Sequence, residues 1–225
     1  MADGSAGAAR EAGFDLATVD RLLSTTRAVR RRLDLARPVP AEVLRECLRL
    51  SQQAPTGSNQ QGWRWVIVTD PKLRRQIGEI YARGIPAIVA HGKLTVRDAQ
   101  TQRVYEGALW LAEHFGEVPV HALACVLGRP PERFDPTLTA TLYGSALQAV
   151  WSFQLALRSR GLGSVYTTLH LAWEAEMAEL LGIPKDVTQV GLLPVAYTKG
   201  GEVRPAQRPP VETIAFGNRW GGSLG

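Results

Sequence analysis

The sequence predicts an α+β fold, one sheet set among helices. Two observations carry this expectation. Three short segments rich in β-branched and aromatic residues, at 63–69, 119–127 and 190–197, interrupt longer stretches of helical periodicity. The composition, 45% hydrophobic and 21% charged over 225 residues, suits a globular chain that buries one large core without disulfide or metal staples.

Taken in order, residues 1–13 are rich in Ala and Gly and are expected to form a disordered tail, leaving 14–225 as a single domain. From Asp15 to about Thr25, Leu16, Val19, Leu22 and Leu23 recur at helical spacing. After an arginine cluster, Pro40 opens a second helix whose Val43, Leu44, Cys47, Leu48 and Leu50 share a face, and which stops before Pro55. Residues 54–62, APTGSNQQG, are a polar loop feeding the strand at 63–69. Asp70 then caps a helix running from Pro71 to about Arg83. Residues 84–100 fit neither period, and 101–115 are helical again. The nearly continuous apolar run at 119–127 reads as a strand buried on both faces.

The most hydrophobic helix spans 137–160, with Leu138, Leu142, Ala146, Ala149, Val150, Phe153 and Leu157 as its core stripe and Gly161 as its stop. An extended piece at 164–169 follows, then a helix at 174–181 closed by Gly182 and Pro184, and the last strand at 190–197. The final 25 or so residues, rich in Pro, Arg and Gly, read as an extended arm of the kind that wraps a neighbouring subunit.

Most reactive chemistry is missing from the side-chain pattern. There is no dinucleotide fingerprint, phosphate loop, nucleophile elbow or zinc spacing, and the histidines at 91, 114, 121 and 170 are scattered. His121, inside a strand, reads as structural. Cys47 and Cys125 lie in apolar contexts and read as buried, reduced thiols. With no secretory signal and no apolar run of about 18 residues, the expected location is cytoplasmic, with no membrane contact. An enzyme built this way leaves its chemistry to a bound cofactor.

Charge supplies the first positive signal. Only Lys72, Lys93, Lys185 and Lys199 are lysines among 26 basic residues, so 22 are arginines, and the formal net charge is +5. Arg27, Arg30, Arg31, Arg32 and Arg37 cluster with only Asp34 opposing them. Their planar forks suit phosphate and other anions. A solvated basic face and a nucleic-acid patch are the alternatives, and the absence of interleaved aromatics speaks against the latter.

Three separated motifs complete the pattern: TRAVR at 26–30, APTGSNQQGW at 54–63 followed by a strand and Asp70-Pro71, and GLGSVYTT at 161–168 with LGIP at 181–184 and Arg208-Pro209-Pro210 behind it. In this order and spacing, over roughly residues 15–220, the chain resembles the FMN-dependent nitroreductase family. The resemblance implies a central, mostly antiparallel sheet flanked by helices. It also implies a homodimer that exchanges its C-terminal arms and holds FMN at the subunit interface.

By that resemblance Arg27, Ala28 and Arg30 contact the cofactor, Arg30 lying near N1 and the C2 carbonyl, where a cation stabilises negative charge on the flavin. Pro55, Thr56, Ser58 and Asn59 come from the partner subunit to line the ring, with Asn59 and Gln61 bracing the loop. Ser164, Thr167 and Thr168 pass the reactive edge, and Arg208 reaches the phosphate. Without the resemblance, the second and third motifs read as ordinary helix-to-strand links. The chain departs from the family pattern at Thr26, Ala28, Gly62 and Ala206, where an arginine, a hydroxyl residue, a proline and a basic residue are usual; Arg31 or Arg32 could replace the lost phosphate contacts.

The implied activity is NADH- or NADPH-driven two-electron reduction of a nitroaromatic, a quinone or a similar small electron-poor acceptor, in a ping-pong cycle with no side chain essential for proton transfer. A flavin-dependent dehydrogenase or oxidase of a biosynthetic intermediate, and a flavin-binding protein without turnover, are the alternatives. In residues 84–117, Tyr105 and Trp110 stand as pocket or core, as do Tyr81 and Phe115 at the borders of this segment, with core favoured for most of them.

Overall fold

The computed structural model describes residues 13–201 and 203–224, so all of the expected tail except Gly13 lies outside the described residues. The described residues form two compact units, one of residues 26–201 and one of residues 13–25 with 203–224. The smaller unit holds α1 (Leu16–Thr25) and a C-terminal segment without long regular structure. That segment makes one 3-10 turn at Val211–Thr213 and a tight turn closed by Gly217 N donating to Gly222 O at 3.0 Å.

The larger unit carries α2 (Ala41–Ser51), β1 (Trp63–Val68), α3 (Pro71–Ala82), α4 (Ile85–Thr95), α5 (Ala99–Glu113), β2 (Val120–Leu127), α6 (Pro136–Ser159), β3 (Leu162–Ser164), α7 (Glu174–Leu181) and β4 (Val187–Tyr197). The four strands form one antiparallel sheet in the order β1-β2-β4-β3. With helices on both faces of this sheet, the fold is α+β.

The apolar run of β2 is explained by what lies above and below it. Val120, Ala122 and Ala124 point into a cluster with Leu44 and Cys47 of α2 and Val150, Phe153 and Leu157 of α6. Leu123 and Cys125 point the other way, toward Ile77, Ile80 and Tyr81 of α3, Leu111 of α5 and Phe115. β4 alternates in the same fashion, Leu193 and Val195 against Leu192 and Ala196. A side-chain period of two with both faces covered therefore reads as continuous hydrophobicity. Between Ala124 and Cys125 the partner on β4 jumps from Gly191 to Gln189, a bulge that leaves Val190 as the extra residue.

The cap chemistry follows the sequence. Asp70 accepts from Leu73 N at 2.8 Å with Pro71 in the first turn, a cap that stabilises the helix by about 1 kcal/mol. Gly161 and Gly182 end α6 and α7 with φ of +75° and +65°. Cys47 and Cys125 are free and buried, and burial pushes the Cys125 thiol up to about 12.

Four expectations shift. Residues 84–100 contain a helix, α4, which is apolar on every side and so shows no readable period. α5 begins two residues early because Asp98 caps it, accepting from Thr101 N at 2.8 Å. Leu138 is 57% exposed rather than core. The fully buried stripe of α6 starts at Ala146, with Leu142 partly buried against Val126 and Val190, and within the expected stripe only the first turn leaves its leucine in solvent. The extended piece begins at Leu162, which pairs with Tyr197 directly after the Gly161 turn, and regular pairing stops at Ser164.

Buried histidines set the acid limit of this core. His121 is fully buried with Nε2 2.8 Å from the Phe115 carbonyl oxygen, a structural role as expected, and His170 is equally buried. Burial pushes both rings down to about 4 from an ordinary 6.5. Each ring therefore binds a proton more tightly in the unfolded chain. Stability should fall as the pH drops from about 6.5 toward 4, by roughly 3 kcal/mol per histidine over the full window. Urea midpoints measured at pH 7.5, 5.5 and 4.5 should decline in that order; a flat series would mean the rings titrate normally inside the fold. Separately, a Cβ on Gly78 of α3 would lie 2.6 Å from the backbone nitrogen of Gly116. Gly78→Ala should force α3 off the Phe115 turn and lower stability by about 1–3 kcal/mol in the same urea assay.

Candidate functional site

The first motif crosses the end of the sheet beside β3. Val29 N donates to the Ser164 carbonyl at 2.9 Å, and Ala28 forms a parallel bridge with Ser164. Leu33 bridges Thr198, and Asp34 N donates to Tyr197 O at 2.8 Å. The first and third motifs are thus brought together by backbone hydrogen bonds.

These bonds sort the arginine cluster. Arg32 donates to the carbonyls of Lys199, at 2.7 Å, and Gly201, which removes it as a substitute phosphate ligand. Arg37 lies over the Tyr197 ring with 3.5 Å to its centroid. Arg31 approaches Glu106 at 3.8 Å. Arg27 and Ala28 are exposed. Arg30 alone turns inward: it is half-buried, and its Cδ lies 3.5 Å from the place a Cβ would take on Gly107 of α5. Burial lowers the Arg30 pKa, and the group that opposes this is the Tyr81 phenol rather than a carboxylate. A guanidinium remains a cation under such a shift. No carboxylate pairs with it among the described residues, so a partly desolvated positive charge is held open to an anion.

The third motif is divided between inward and outward groups. Ser164 is buried, and its hydroxyl accepts from Gln154 Nε2 of α6 at 3.2 Å. The Tyr166 hydroxyl donates to Val190 O at 2.7 Å, its ring resting on Gly191, where any Cβ would collide with it. That ring interrupts regular strand pairing until Thr167. Thr167 N and Oγ1 both donate to Leu192 O, at 3.1 and 2.8 Å, and Thr167 O accepts from Leu192 N at 2.9 Å. The Thr167 side chain is therefore turned into the sheet, whereas Thr168 is exposed at the start of a 3-10 turn, Leu169–Trp173.

The second motif lies elsewhere. Residues 55–62 lead into β1, one edge of the sheet, while the third motif forms the other edge, three inter-strand spacings or about 14 Å away. The loop rests on α6, where Gly57 N donates to Ser145 Oγ at 3.0 Å. Gln61 N donates to Thr56 Oγ1 at 2.9 Å and Gln61 Nε2 to Asn59 Oδ1 at 3.0 Å, so Asn59 and Gln61 do brace the loop. Ser58, Asn59 and Gln61 all hold positive φ, between 49° and 53°, which non-glycine residues rarely adopt. Pro55, Ser58 and Asn59 are exposed. Arg208, in the smaller unit, is exposed and donates to the Gln207 carbonyl at 3.3 Å.

Two groups beside Arg30 were not visible as site residues in the sequence. Tyr81 and Gly107 sit inside amphipathic helices, where an aromatic and a small residue are read as packing. Tyr81 does pack, stacking on Phe115 at 3.9 Å between centroids. Tyr105 and Trp110 are half-buried: Thr95 Oγ1 donates to His91 O at 2.8 Å and accepts from the Tyr105 hydroxyl at 2.7 Å, and Trp110 stacks on His114 at 4.5 Å. Among the described residues no cluster of His, Cys, Asp or Glu could hold a metal ion, and no helix is long and apolar enough to cross a membrane.

Comparison with known proteins bears on the same region. Iodotyrosine deiodinase 1 of Rattus norvegicus is 29% identical over 204 residues, covering 86% of this chain and 67% of the rat protein. An NADH dehydrogenase of Thermus thermophilus is 28% identical over 191 residues, covering 80% of this chain and 86% of that protein. A crystal structure of oxidized iodotyrosine deiodinase bound to FMN and 3-iodo-L-tyrosine superposes with a TM-score of 0.64 at 26% identity, covering 84% of this chain and 94% of the other. The model of the Nitroreductase family matches residues 23–197, a span that holds the motif residues 26–30, 54–63, 161–168 and 181–184, the whole sheet and the inward-facing Arg30, and stops short of Arg208. The chain belongs to the Nitroreductase family.

Proposed function

We propose that the protein is an FMN-dependent oxidoreductase that takes electrons from NADH or NADPH and reduces a small electron-poor aromatic or quinone acceptor. The observation that carries this reading is Arg30, a half-buried cation without a carboxylate, at the junction of the first and third motifs of a nitroreductase-family chain. The cofactor assignment draws on the deiodinase crystallised with FMN, and the donor on the Thermus NADH dehydrogenase. FMN, when bound, supplies a two-electron carrier between donor and acceptor.

The chain's own residues would bind, orient and exclude water. Arg30 offers a forked cation to the anionic pyrimidine edge, an electrostatic contribution that grows as water is excluded. Arg27 and Arg208 are the phosphate ligands, with Arg31 as a nearby reserve. Of the third-motif hydroxyls, Thr168 faces outward, while Thr167 and Ser164 hold the segment in place through Leu192 and Gln154. The donor leaves before the acceptor enters, and solvent supplies protons.

The same reading includes a homodimer. The Ser58 loop leads into the β1 edge of the sheet and Arg30 lies at the β3 edge, and in this reading the loop that lines the flavin is supplied by the partner subunit. The exposed face of α6 supports this: Leu147 and Trp151, one turn apart, are 40% and 44% exposed, and Gly144 adds an open surface beside them. Val211, Ile214 and Trp220 of the C-terminal segment are likewise exposed, as an exchanged arm requires.

A second reading is favoured by the deiodinase relatives: reductive removal of a halogen from an aromatic ring by the same cofactor and the same cation. The purified protein should show flavin absorption that NADH or NADPH bleaches without oxygen. Bleached enzyme should then be reoxidised by a nitrobenzene or a quinone under the first reading, and by 3-iodo-L-tyrosine with iodide release under the second. A protein that never takes up FMN would end both. For the dimer, Trp151→Glu should convert a species of twice the chain mass into monomer by light scattering and lower FMN occupancy at least tenfold. A wild-type monomer with full occupancy would remove the shared site.

A further inference from the structure

Among the described residues that α6 buries, Gln154 is the one polar side chain; the rest are alanine, valine, phenylalanine or leucine. A buried amide is unfavourable unless its hydrogen bonds are met, and an apolar side chain would fill the same space without that penalty. The group that Gln154 Nε2 meets is the Ser164 hydroxyl of the third motif, at 3.2 Å. Nearer the start of α6, Ser145 Oγ donates to Thr141 O at 2.7 Å and accepts from Gly57 N, in the loop before β1, at 3.0 Å. One helix thus bonds to two of the three motifs through its side chains.

We propose that α6 is the strut of the cofactor site, with two positioning residues: Gln154 fixes the third motif through Ser164, and Ser145 fixes the loop before β1 through Gly57. The proposal rests on the reading that these two motifs line FMN. It goes further by assigning a role to side chains outside all three motifs.

Ser164 is held from three sides. Leu162 of β3 packs with Val150, Phe153 and Leu157 of α6, and Ser164, two residues on, presents its side chain to the same face. Its hydroxyl is therefore committed to the helix. The Ser164 backbone pairs with Val195 of β4 on one side, and its carbonyl accepts from Val29 N at 2.9 Å on the other. Gly163 faces the opposite way, where a Cβ would lie 2.9 Å from that of Val29. The residue after Val29 is Arg30, so any shift of Ser164 passes directly to the inward-facing cation.

The loop contact is equally close. A Cβ on Gly57 would lie 2.5 Å from Thr141 Cγ2, so glycine is what lets the loop backbone reach Ser145. The bond falls directly before Ser58 and Asn59, whose positive φ angles set the direction of their exposed side chains. The internal bond from Gln61 N to Thr56 Oγ1 shapes the loop but does not tie it to the helix. In the homodimer of the reading above, each α6 holds part of two sites, the third motif of one and the loop of the other.

The test uses the full chain and three readouts that do not depend on turnover: FMN dissociation by fluorescence titration, the visible circular dichroism of bound flavin at saturation, and the melting temperature without FMN. Gln154→Met, a side chain of similar length without an amide, should weaken FMN binding about tenfold and change the flavin signal. Ser164→Ala should do the same, and the two together should lose no more than either alone, because each removes the same bond. Ser145→Ala should weaken FMN by a smaller factor, and Ser145→Thr, which keeps the hydroxyl, should bind as the wild type does. If the wild type binds FMN while Gln154→Met and Ser145→Ala leave dissociation and flavin signal unmoved and lower only the melting temperature, both side chains are mere packing and the proposal falls alone. If the losses of Gln154→Met and Ser164→Ala add, the bond between them is not the cause and the proposal also falls. If the wild type itself takes up no FMN, the underlying reading falls too. Should the buried Gln154→Met fail to fold, the half-buried Ser145 pair decides the matter: rescue by threonine supports the strut, and equal affinity in Ser145→Ala and the wild type overturns it.

Discussion

β2 and β4 are covered on both faces, and that requirement decides where polar chemistry can go. A strand with helices above and below has no room for an unpaired charge, and His121 survives there only neutral and bonded to a backbone carbonyl. The first motif reaches the sheet only at β3, the third forms β3 and its continuation, and the second leads into β1. All three family motifs therefore lie at the margins of the sheet. The buried centre holds the two margins apart, β1 on one side and β3 on the other.

The arginine cluster shows how local sequence density and local function part company. Five arginines within eleven residues read as one basic patch. In the fold they diverge: Arg32 straps the chain to the carbonyls after β4, Arg37 covers a tyrosine ring, Arg31 meets a glutamate, and Arg30 turns in. Backbone pairing of Val29 with Ser164 and Asp34 with Tyr197 sets this divergence, because it fixes which way each intervening side chain must leave the chain. The charge that matters is selected by burial and by the absence of a counter-ion, neither of which is a property of the residue type.

Much of the fold was legible because its signals are short-range. The strand at 63–69, the caps at Asp70 and Gly182, and the doubly buried run at 119–127 each follow from a few neighbouring residues. The failures have equally local reasons. α4 has apolar residues all round, so its helix gives no period, and Leu138 shares the spacing of the α6 core stripe but lies in solvent at the helix's first turn. The site divided along the same line. Its motifs could be found as ordered strings, and the bracing of the loop by Asn59 and Gln61 could be anticipated from their side-chain chemistry. The inward turn of Thr167 and the loss of Arg32 to backbone carbonyls each depend on residues far apart in the chain, and no spacing announces them.

The loop before β1 holds three non-glycine residues in the left-handed region, a geometry that costs roughly 1–2 kcal/mol apiece. Hydrogen bonds from Gly57 to Ser145 and from Gln61 to Thr56 offset that strain before anything docks on the loop. An exposed loop of this kind is rigid in advance. Whatever surface meets Ser58 and Asn59 forfeits little conformational entropy on contact, so association there is governed by shape rather than by ordering. The strained turn thus works as a fixed template, and it tolerates a poorly matched partner less well than a flexible loop would.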